Sequence, residues 1–574
     1  MILPIVRRDV AGASLSEDLH PVIDRIYRGR NITHIDDLEN GLKGLTHFNA
    51  LKGMAEAARL LADTVEQNKR LIIVGDFDAD GATSTSVCML ALKMMGHTNA
   101  DFLVPNRFDF GYGLSVPIVD VAAEQGADII VTVDNGISCI DGVKHAKQLG
   151  LQVLVTDHHL PGNELPPADA IVNPNQPGCT FISKNLAGVG VAFYIMLALK
   201  AELQQRGYFE RTNIAPPNLA SLLDIVAVGT VADVVVLDKN NRILVHQGLQ
   251  RIRAGKCRPG IKALVEVANR ECSHLTSTDL GFVVGPRLNA AGRLDDMSQG
   301  IACLLEDDTI QARMIAAELD ALNKERREIE TGMKAQAEQA LEEMAINEGD
   351  IPAALVVYRE DFHQGVIGIV AGRLKEQYLK PVIAFAHQDD EVIKGSARSI
   401  PGVHIRDVLD EVNTRYPGVI DKFGGHAMAA GLSLPVVKLK AFEHAFVAVA
   451  QEHVAKLDGN HALLSDGDLS ASELSLPFAH LLRQAGPFGQ GFESPLFDGE
   501  FELLDQRLVG QKHLKMVLRS QGLSEVDAIA FNIDIKAWPN AMVKRVHIAY
   551  RLDVNVFRGQ ETVQLIIEQI EACK

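Results

Sequence analysis

Four short apolar runs between residues 71 and 157 alternate with helical stretches, and this alternation constrains the fold more than any other feature. The separating patterns, at 83–95 and 117–125, have the length of crossover helices. Strands and helices in this order predict a doubly wound parallel sheet with helices on both faces. The sequence therefore indicates an α/β fold built on these runs: LIIVGD (71–76), DFLVP (101–105), ADIIVTVD (127–134) and LQVLVTD (151–157).

Changes of pattern divide the 574 residues into several domains, since one domain rarely exceeds about 250 residues. A long amphipathic helical signal, at 308–350, precedes a second α/β unit that begins at AALVVY (353–358). After about residue 451, short strands follow one another and predict a small β-barrel. The resulting division is an N-terminal segment (1–65), the doubly wound domain (66–307), a connecting helix (308–350), a smaller α/β domain (351–455) and the barrel (456–574).

Acidic residues follow the strands at the points where the strands end. In GDFDADG three aspartates occupy alternate positions, so in an extended chain their side chains would share one face. The carboxyl ends of parallel strands meet at one edge of a sheet, where open α/β sheets bind their ligands. We therefore expect the following side chains to converge: Asp76, Asp78, Asp80, Asp134, Asp157, His158 and His159.

Such a cluster predicts a metal site. Carboxylates close together repel one another and have raised pKa values unless cations neutralise them. Oxygen ligands with one or two imidazoles suit Mg²⁺ or Mn²⁺, and shared carboxylates can hold two such ions about 3.5–4 Å apart. A single aspartate before glycine more often closes a turn, but acids at three strand ends favour two bound ions.

The formal net charge of −18 gives no sign of a nucleic-acid-binding protein. Two stretches without acids, 251–262 and 507–519, are the candidates for contact with a nucleic-acid backbone. Seven scattered cysteines without a CxxC pair favour a reducing cytoplasm. No apolar run approaches the ~20 residues that span a bilayer, so we expect no membrane association.

The glycines at 188 and 190 resemble a dinucleotide-binding loop, but no strand precedes them at the required distance. We interpret them as a site of close helix packing and expect no nicotinamide or flavin cofactor.

The ordered motifs DFDADG, VDNG, TDHH and GTVADVV resemble those of the DHH phosphoesterase superfamily. Within it, the chain is similar to bacterial exonucleases specific for single-stranded DNA, on VPNRFDFGYGLS (104–115), GPRLNAAGRLDD (285–296), GSARS (395–399) and FGGHAMAAG (423–431). The resemblance implies a DHH domain at 66–307, a DHHA1 domain at 351–455 and an OB fold at 456–574. It also implies a 5′→3′ exonuclease that releases 5′-mononucleotides in DNA repair and recombination, with a single-strand-binding protein and a helicase as partners. We expect a monomer.

The resemblance assigns roles to individual residues. It implies that the metal ligands are Asp78, Asp80, Asp134, His158 and Asp233, with Asp76 either a further ligand or a hydrogen-bonding partner of one. His159 would face the scissile phosphate and act with Asp134 and His158 in catalysis, while Asp157 orients an imidazole. The phosphate-binding residues would be Arg107, Arg287, Arg293, Ser396, Arg398 and His426.

Two alternatives stay open. A DHH hydrolase of small substrates, such as cyclic dinucleotides or very short oligonucleotides, needs neither the barrel nor the basic stretches. A non-catalytic single-strand-binding scaffold would not need the complete set of acids and histidines.

Overall fold

The structure is a computed structural model that describes residues 3–105, 113–348, 352–389, 391–457, 462–510, 512–520, 522 and 525–573, with only the backbone of 342–348 and 557. Its residues form two compact units. The first comprises the described residues within 1–289, 297–317 and 461–574, and the second those within 290–296 and 318–460.

The N-terminal half of the chain is mostly helical around one sheet. Its elements are β1 (Ile5–Arg7), α1 (Pro21–Arg28), α2 (Met54–Glu66), β2 (Leu71–Gly75), α3 (Ala79–Met94), β3 (Ala100–Leu103), α4 (Val116–Glu124), β4 (Ile129–Val133), α5 (Ile140–Gln148), β5 (Gln152–Thr156), β6 (Ala170–Val172), α6 (Gly188–Gln205), α7 (Tyr208–Thr212), α8 (Leu223–Ala232), α9 (Lys239–Arg253), α10 (Pro259–Val267), α11 (Ser277–Asp279), α12 (Gly285–Leu294) and α13 (Ser298–Leu305). A π-helical turn, Leu280–Val284, joins α11 to α12.

The sheet of the first unit is parallel, with strand order β3-β2-β4-β5-β6. Every residue of β2 and β4 is buried, because helices cover both faces of a doubly wound sheet. Strand β2 is the first of these strands along the chain, and it has β3 on one side and β4 on the other, so the strand order reverses there. Ligand sites lie beyond the carboxyl ends of strands at such a switch point. The predicted doubly wound α/β fold is confirmed.

Helix α14 (Thr309–Glu348) contributes its first residues to the first unit and the remainder to the second. The second unit contains β7 (Leu355–Tyr358), α15 (Ile367–Tyr378), β8 (Val382–His387), β9 (Val392–Arg398), α16 (Ile405–Arg415), β10 (Lys422–Gly425), β11 (Ala429–Pro435) and α17 (Leu439–Val454). Its mixed sheet has the order β10-β11-β9-β8-β7. Buried side chains of α16 and α17 pack on one face, and those of α14 and α15 pack on the other.

The C-terminal region closes into a barrel with strand order β13-β14-β15-β17-β16. It follows β12 (Leu463–Ser465) and α18 (Leu476–Gln484) and comprises β13 (Phe497–Val509), β14 (His513–Arg519), β15 (Val526–Ala530), β16 (Arg545–Phe557) and β17 (Gln560–Ala572). Alternating burial along β14 and β15 places one set of side chains inside the barrel. The predicted OB-like barrel is confirmed.

The N-terminal segment connects the barrel region to the rest of the first unit. Strand β1 pairs in parallel with β12, at Ile5 opposite Leu463. The Arg30 guanidinium donates to both carboxylate oxygens of Asp466, at 2.7 and 2.9 Å, with both side chains 1% exposed. Within the described ranges, none of the helices has both the length and the hydrophobicity that a lipid bilayer requires.

Candidate metal centre

The first acids of the site lie at the junction of β2 and α3. The strand ends at Gly75, and Asp78 is the N-cap of α3. The Oδ1 atom of Asp78 accepts from the Asp80 and Gly81 backbone N–H groups at 2.9 and 3.0 Å. The expectation that the three aspartates alternate along an extended chain is wrong, because the helix starts inside the motif. They converge instead through the tight turn, and a Cβ on Gly81 would lie 2.3 Å from the Asp76 carbonyl oxygen.

Asp80 is held by the N-terminus of α6. Its carboxylate accepts from the backbone N–H groups of Gly188, at 2.6 Å, and Val189, at 2.9 Å. A helix N-terminus stabilises a carboxylate through its unpaired N–H groups and its dipole. Gly188 therefore belongs to the site and does not merely pack two helices together, as the sequence suggested, whereas a Cβ on Gly190 would first meet the Leu186 side chain. A Cβ on Gly188 would lie only 2.6 Å from the Asp134 Cβ.

Asp134 follows β4 in a strained turn. Its φ is 62°, in the left-handed region that few residues other than glycine and asparagine adopt. The next side chain, Asn135, fixes this turn by donating to the Val74 and Val133 carbonyl oxygens at 3.0 and 2.9 Å. Both strands are central in the sheet, so the buried Asp134 carboxylate is positioned by rigid neighbours.

The two histidines after β5 have different partners. The His159 ring shares a hydrogen bond of 2.7 Å between Nδ1 and Asp157 Oδ1, and Asp157 also accepts from the Ile137 N–H. The His158 Nε2 lies 3.1 Å from an Asp134 carboxylate oxygen and 3.5 Å from one of Asp233. The expected orienting function of Asp157 therefore has a geometric basis, and it concerns His159.

Asp233 reaches the cluster from the C-terminal end of α8. A Cβ on Gly229, one turn earlier, would lie 2.1 Å from Thr83 Oγ1 and 3.1 Å from Asp80 Oδ1, so α8 and α3 approach very closely there. The residue after Asp233 is Val234, whose φ of 62° is a clear outlier for a β-branched side chain. Such strain persists only where the surrounding structure imposes it, and it is frequent at functional sites.

These side chains form three overlapping groups with the ligand atoms of each within 4.8 Å of one another. The groups are Asp76, Asp78 and Asp134; Asp80, His158 and Asp233; and Asp134, His158 and His159. Asp134 belongs to two of them, and so does His158.

The pKa values show a cluster with excess negative charge. Burial and the charge of Asp78 raise the pKa of Asp80 to about 7. Burial and the charge of Asp80 raise the pKa values of Asp134 and Asp233 well above the ordinary range. A divalent cation would remove this penalty.

The pKa values of the two histidines shift in opposite directions. Burial and the neighbouring His159 lower the pKa of His158 to about 4, which keeps it neutral as a metal ligand must be. Burial by itself would lower the pKa of His159, but the hydrogen bond and charge of Asp157 raise it to about 9. Burial would likewise raise the pKa of Asp157, yet its contacts with His159 leave it below its ordinary value.

Two buried atoms of the cluster show that the donors fit a hard divalent cation. The His158 Nε2 and Asp233 Oδ2 atoms are solvent-inaccessible and make no hydrogen bond among the described residues. Buried polar atoms normally have partners, and carboxylate oxygens with one imidazole match Mg²⁺ or Mn²⁺.

The expected phosphate-binding residues are divided between the two units. Arg287 lies on α12 in the first unit and is buried, donating to the Val283 carbonyl oxygen at 2.7 Å. Arg293, on the same helix but in the second unit, donates to the Gly365 carbonyl oxygen at 2.9 Å. Arg107 lies outside the described residues.

Ser396 and Arg398 are neighbours on β9, where the guanidinium donates to the serine Oγ at 3.0 Å. Burial lowers the pKa of Arg398. His426 is exposed between β10 and β11, with its N–H bonded to the Ala429 carbonyl.

Acids from neighbouring elements neutralise parts of both basic stretches. On the barrel, Lys515 lies 3.0 Å from Asp527, and Arg519 lies 3.4 Å from Glu502. In the first stretch, Arg258 pairs with Asp307 at 2.7 Å and also donates to carbonyl oxygens of the last residues of α13. Each basic stretch therefore has less net positive charge, once its acidic neighbours in the fold are counted, than its sequence alone indicates.

One further residue of the site was missed by the sequence analysis. Asn289, in the LNAAG segment, accepts from the Ala79 N–H through its Oδ1 at 2.8 Å and so fixes the start of α3. The segment lies within the motif GPRLNAAGRLDD, but only its two arginines were given a role there.

Comparison with protein families gives three matches. The DHH family N-terminal domain matches residues 70–230, the DHHA1 domain matches 352–452, and the RecJ OB domain matches 465–569. A curated relative from Salmonella typhimurium, the single-stranded-DNA-specific exonuclease RecJ, is 54% identical over 97% of each chain. Its counterpart from Escherichia coli is 53% identical over 98% of each chain. The crystal structure of RecJ from Thermus thermophilus in complex with Mn²⁺ has a TM-score of 0.79 and 28% identity, covering 100% of this chain and 80% of the other.

Proposed function

Because the chain belongs to the family of RecJ single-stranded-DNA-specific exonucleases, we propose that this DHH phosphoesterase degrades single-stranded DNA from its 5′ end and releases 5′-mononucleotides. The observation that carries the proposal is the cluster of carboxylates and histidines at the carboxyl edge of the parallel sheet, in a chain that matches these exonucleases over nearly its whole length. The direction and the product follow from the resemblance of its motifs.

The chain would hold two divalent cations, Mg²⁺ or Mn²⁺, with Asp134 shared between them because it belongs to two of the three groups. The other ligands would be Asp76, Asp78, Asp80, His158 and Asp233. Such ions supply a hydroxide at neutral pH and stabilise the charge that develops on the phosphate. The protein supplies rigid placement: Asp80 through the α6 N–H groups and Asp134 through the strained turn after β4.

His159 would contact the scissile phosphate and assist proton transfer, with Asp157 holding its ring. Arginine grips phosphate through paired N–H donors. We propose that the residues that bind the phosphates of the strand are Arg107, Arg287, Arg293, Ser396, Arg398 and His426.

Domain limits and context are part of the same proposal. We propose a DHH domain at 66–307, a DHHA1 domain at 351–455 and an OB fold at 456–574, and each matched range falls within the corresponding domain. An N-terminal segment (1–65) precedes them, and a connecting helix (308–350) joins the first two. A cytoplasmic monomer that cooperates with a single-strand-binding protein and a helicase accords with the resemblance and with the scattered cysteines.

A product analysis tests the function. The full chain is incubated with Mn²⁺ or Mg²⁺ and with matched single-stranded and duplex oligonucleotides that carry a label at the 5′ end. We expect labelled mononucleotide from the first turnovers on the single strand and little cleavage of the duplex. Release of label in longer fragments would contradict exonucleolytic attack from the 5′ end, and activity confined to very short oligonucleotides would favour the small-substrate alternative.

Two variants connect the activity to the metal centre. Asp134→Asn should lower turnover by at least about 10²-fold, since it removes the ligand shared between the ions. Asp120→Asn is the matched control, because Asp120 is a half-exposed carboxylate that pairs with His145 on the surface. Normal turnover by a folded Asp134→Asn variant would refute the assignment of the centre, and strand binding without cleavage by the unaltered chain would favour a scaffold.

A further inference from the structure

A strongly exposed aromatic side chain lies on the π-helical turn between α11 and α12. Phe282 is 72% exposed, whereas Leu280 and Val284, on the same turn, are completely buried. A π turn inserts a residue into a helix and is frequently found at functional sites. The turn therefore presents Phe282 to solvent while its neighbours hold the backbone in the core.

The π turn packs directly against the end of α8, which leads into Asp233. A Cβ on Gly281 would lie 3.3 Å from the Val231 side chain, and one on Gly285 would lie 3.1 Å from the Ala232 Cβ. The next residues after Asp233 are also apolar and accessible, with Val234 63% and Val236 38% exposed. We call Val234, Val236 and Phe282 the apolar strip.

The π turn continues into α12, and this helical segment reaches the metal centre near its other end. Asn289 is seven residues after Phe282, or about 10 Å along a helix axis, and it binds the backbone of Ala79 between two proposed ligands. The Arg287 guanidinium bonds to the carbonyl of Val283, on the π turn itself. One continuous helical segment thus links the apolar strip to the metal centre and to a proposed phosphate-binding arginine.

On its far side the apolar strip adjoins the segment that leads into the barrel. The Leu237 N–H donates to the Gln490 carbonyl at 2.8 Å, and the Ser277 hydroxyl donates to the Phe488 carbonyl at 2.5 Å. A Cβ on Gly491 would lie 2.7 Å from a Val236 methyl group. Residues that flank the strip therefore contact the segment that leads into the barrel and, through Asn289, the start of α3 at the metal centre, all within the first unit.

We propose that the apolar strip is a subsite for the bases of the single strand, within a few nucleotides on the 3′ side of the scissile phosphate, and that Phe282 is its stacking residue. Every base has a π face, so stacking on an aromatic ring tolerates any sequence, as an exonuclease requires. In a duplex those faces are covered by neighbouring pairs, so the strip also favours single strands. This inference rests on the proposed function.

The test uses 5′-phosphorylated single strands in which one abasic residue is placed at successive positions from the 5′ end. For the unaltered chain we expect kcat/KM to fall by about 5- to 150-fold when the abasic residue occupies the position that meets Phe282, the range that one stacked base supplies. Phe282→Ala should lose the same factor on the normal strand and show no further loss at that position.

Three further variants make the result specific. Phe282→Trp should restore both the rate and the sensitivity to the abasic position, while Phe282→Leu, which keeps an apolar side chain and the fold, should resemble Phe282→Ala. Ile310→Ala is the matched control, since Ile310 is 71% exposed on α14 in the same unit. It should behave like the unaltered chain.

The two proposals fail differently. If the unaltered chain does not degrade the normal single strand, the proposed function fails. If it degrades that strand but Phe282→Ala and Phe282→Leu keep its rate and its pattern of abasic sensitivity, only the base subsite is refuted.

Discussion

Substitution of Gly188 by alanine examines how the helix α6 N-terminus shapes the metal centre. The added methyl group would lie 2.6 Å from the Asp134 Cβ, 2.9 Å from its Cγ and 2.8 Å from its Oδ1. Carbon atoms in contact are normally about 3.5–4.0 Å apart. Either the Asp134 side chain or the first turn of α6 must therefore move by about 1 Å.

This displacement should slow catalysis while leaving the chain folded. Overpacking a core costs about 1–3 kcal/mol, and alanine recovers up to about 1 kcal/mol of helix propensity. The free energy of unfolding should thus fall by at most about 3 kcal/mol. A misplacement of about 1 Å at the reacting centre can cost about 10²-fold in rate, and movement of α6 would also weaken the 2.6 Å bond between the Gly188 N–H and Asp80.

The assay compares thermal unfolding with and without Mn²⁺, and turnover on a single strand. A ligand that binds only the folded state raises Tm, so the rise caused by Mn²⁺ reports the integrity of the centre. For Gly188→Ala we expect a Tm within a few degrees of the unaltered chain in chelator, a smaller rise with Mn²⁺, and about 10²-fold slower turnover.

Gly190→Ala is the control on the same helix. Its methyl group would meet the Leu186 Cδ2 at 3.0 Å, the movable end of a side chain that has no part in the centre. It should keep the Mn²⁺ effect and at least about half of the turnover. If Gly188→Ala matches Gly190→Ala in both measurements, the close approach of α6 to Asp134 does not shape the site and the reasoning is refuted.

Three other changes give sharp expectations. Asp157→Asn should lower activity by about 10–100-fold without unfolding, as for groups that orient residues of a metal site, and unchanged kinetics would disprove its hold on His159. Arg30→Met should cost about 3–5 kcal/mol by stranding the buried Asp466 carboxylate, whereas adding Asp466→Leu should recover most of the loss in a denaturant titration. Burial lowers the pKa of His97. The contribution of this residue to stability is therefore complete above its ordinary pKa of about 6.5 and is lost progressively as the pH falls below that value. His97→Leu should flatten the dependence of unfolding free energy on pH below about 6.5, and an unchanged dependence would contradict the assignment.

The parallel sheet and the convergence at its edge were predictable from the sequence, because both depend on chain order alone. Apolar runs that alternate with helices dictate a parallel sheet, and the topology then brings Asp134 and His158 together without any knowledge of packing. Asp233 was identified only through the family motif. Its segment has the pattern of an ordinary buried helix. The close approach of Gly229 to α3 is a tertiary contact, which the local sequence does not reveal.

Packing contacts between distant segments could not be predicted. The extended-chain interpretation of Asp76, Asp78 and Asp80 failed because local periodicity does not reveal that a helix starts at Ala79. The function of Gly188 was missed for a similar reason. A glycine that makes room for one side chain and donates its N–H to another has the same appearance in sequence as a glycine that packs two helices.

The proposed function requires that so acidic a chain bind a DNA strand, and the position of the barrel region bears on how it would do so. The barrel shares one compact unit with the doubly wound sheet, and buried or paired contacts secure it: β1 against β12, and Arg30 against Asp466. Since Lys515 and Arg519 are partly neutralised by neighbouring acids, bulk positive charge on the barrel supplies less of the strand affinity than the sequence indicated. A barrel held in the same compact unit as the sheet can compensate. The strand then binds to surfaces that are already in place, so each contact costs less conformational entropy. The apolar strip is such a surface, and its base contacts depend little on salt.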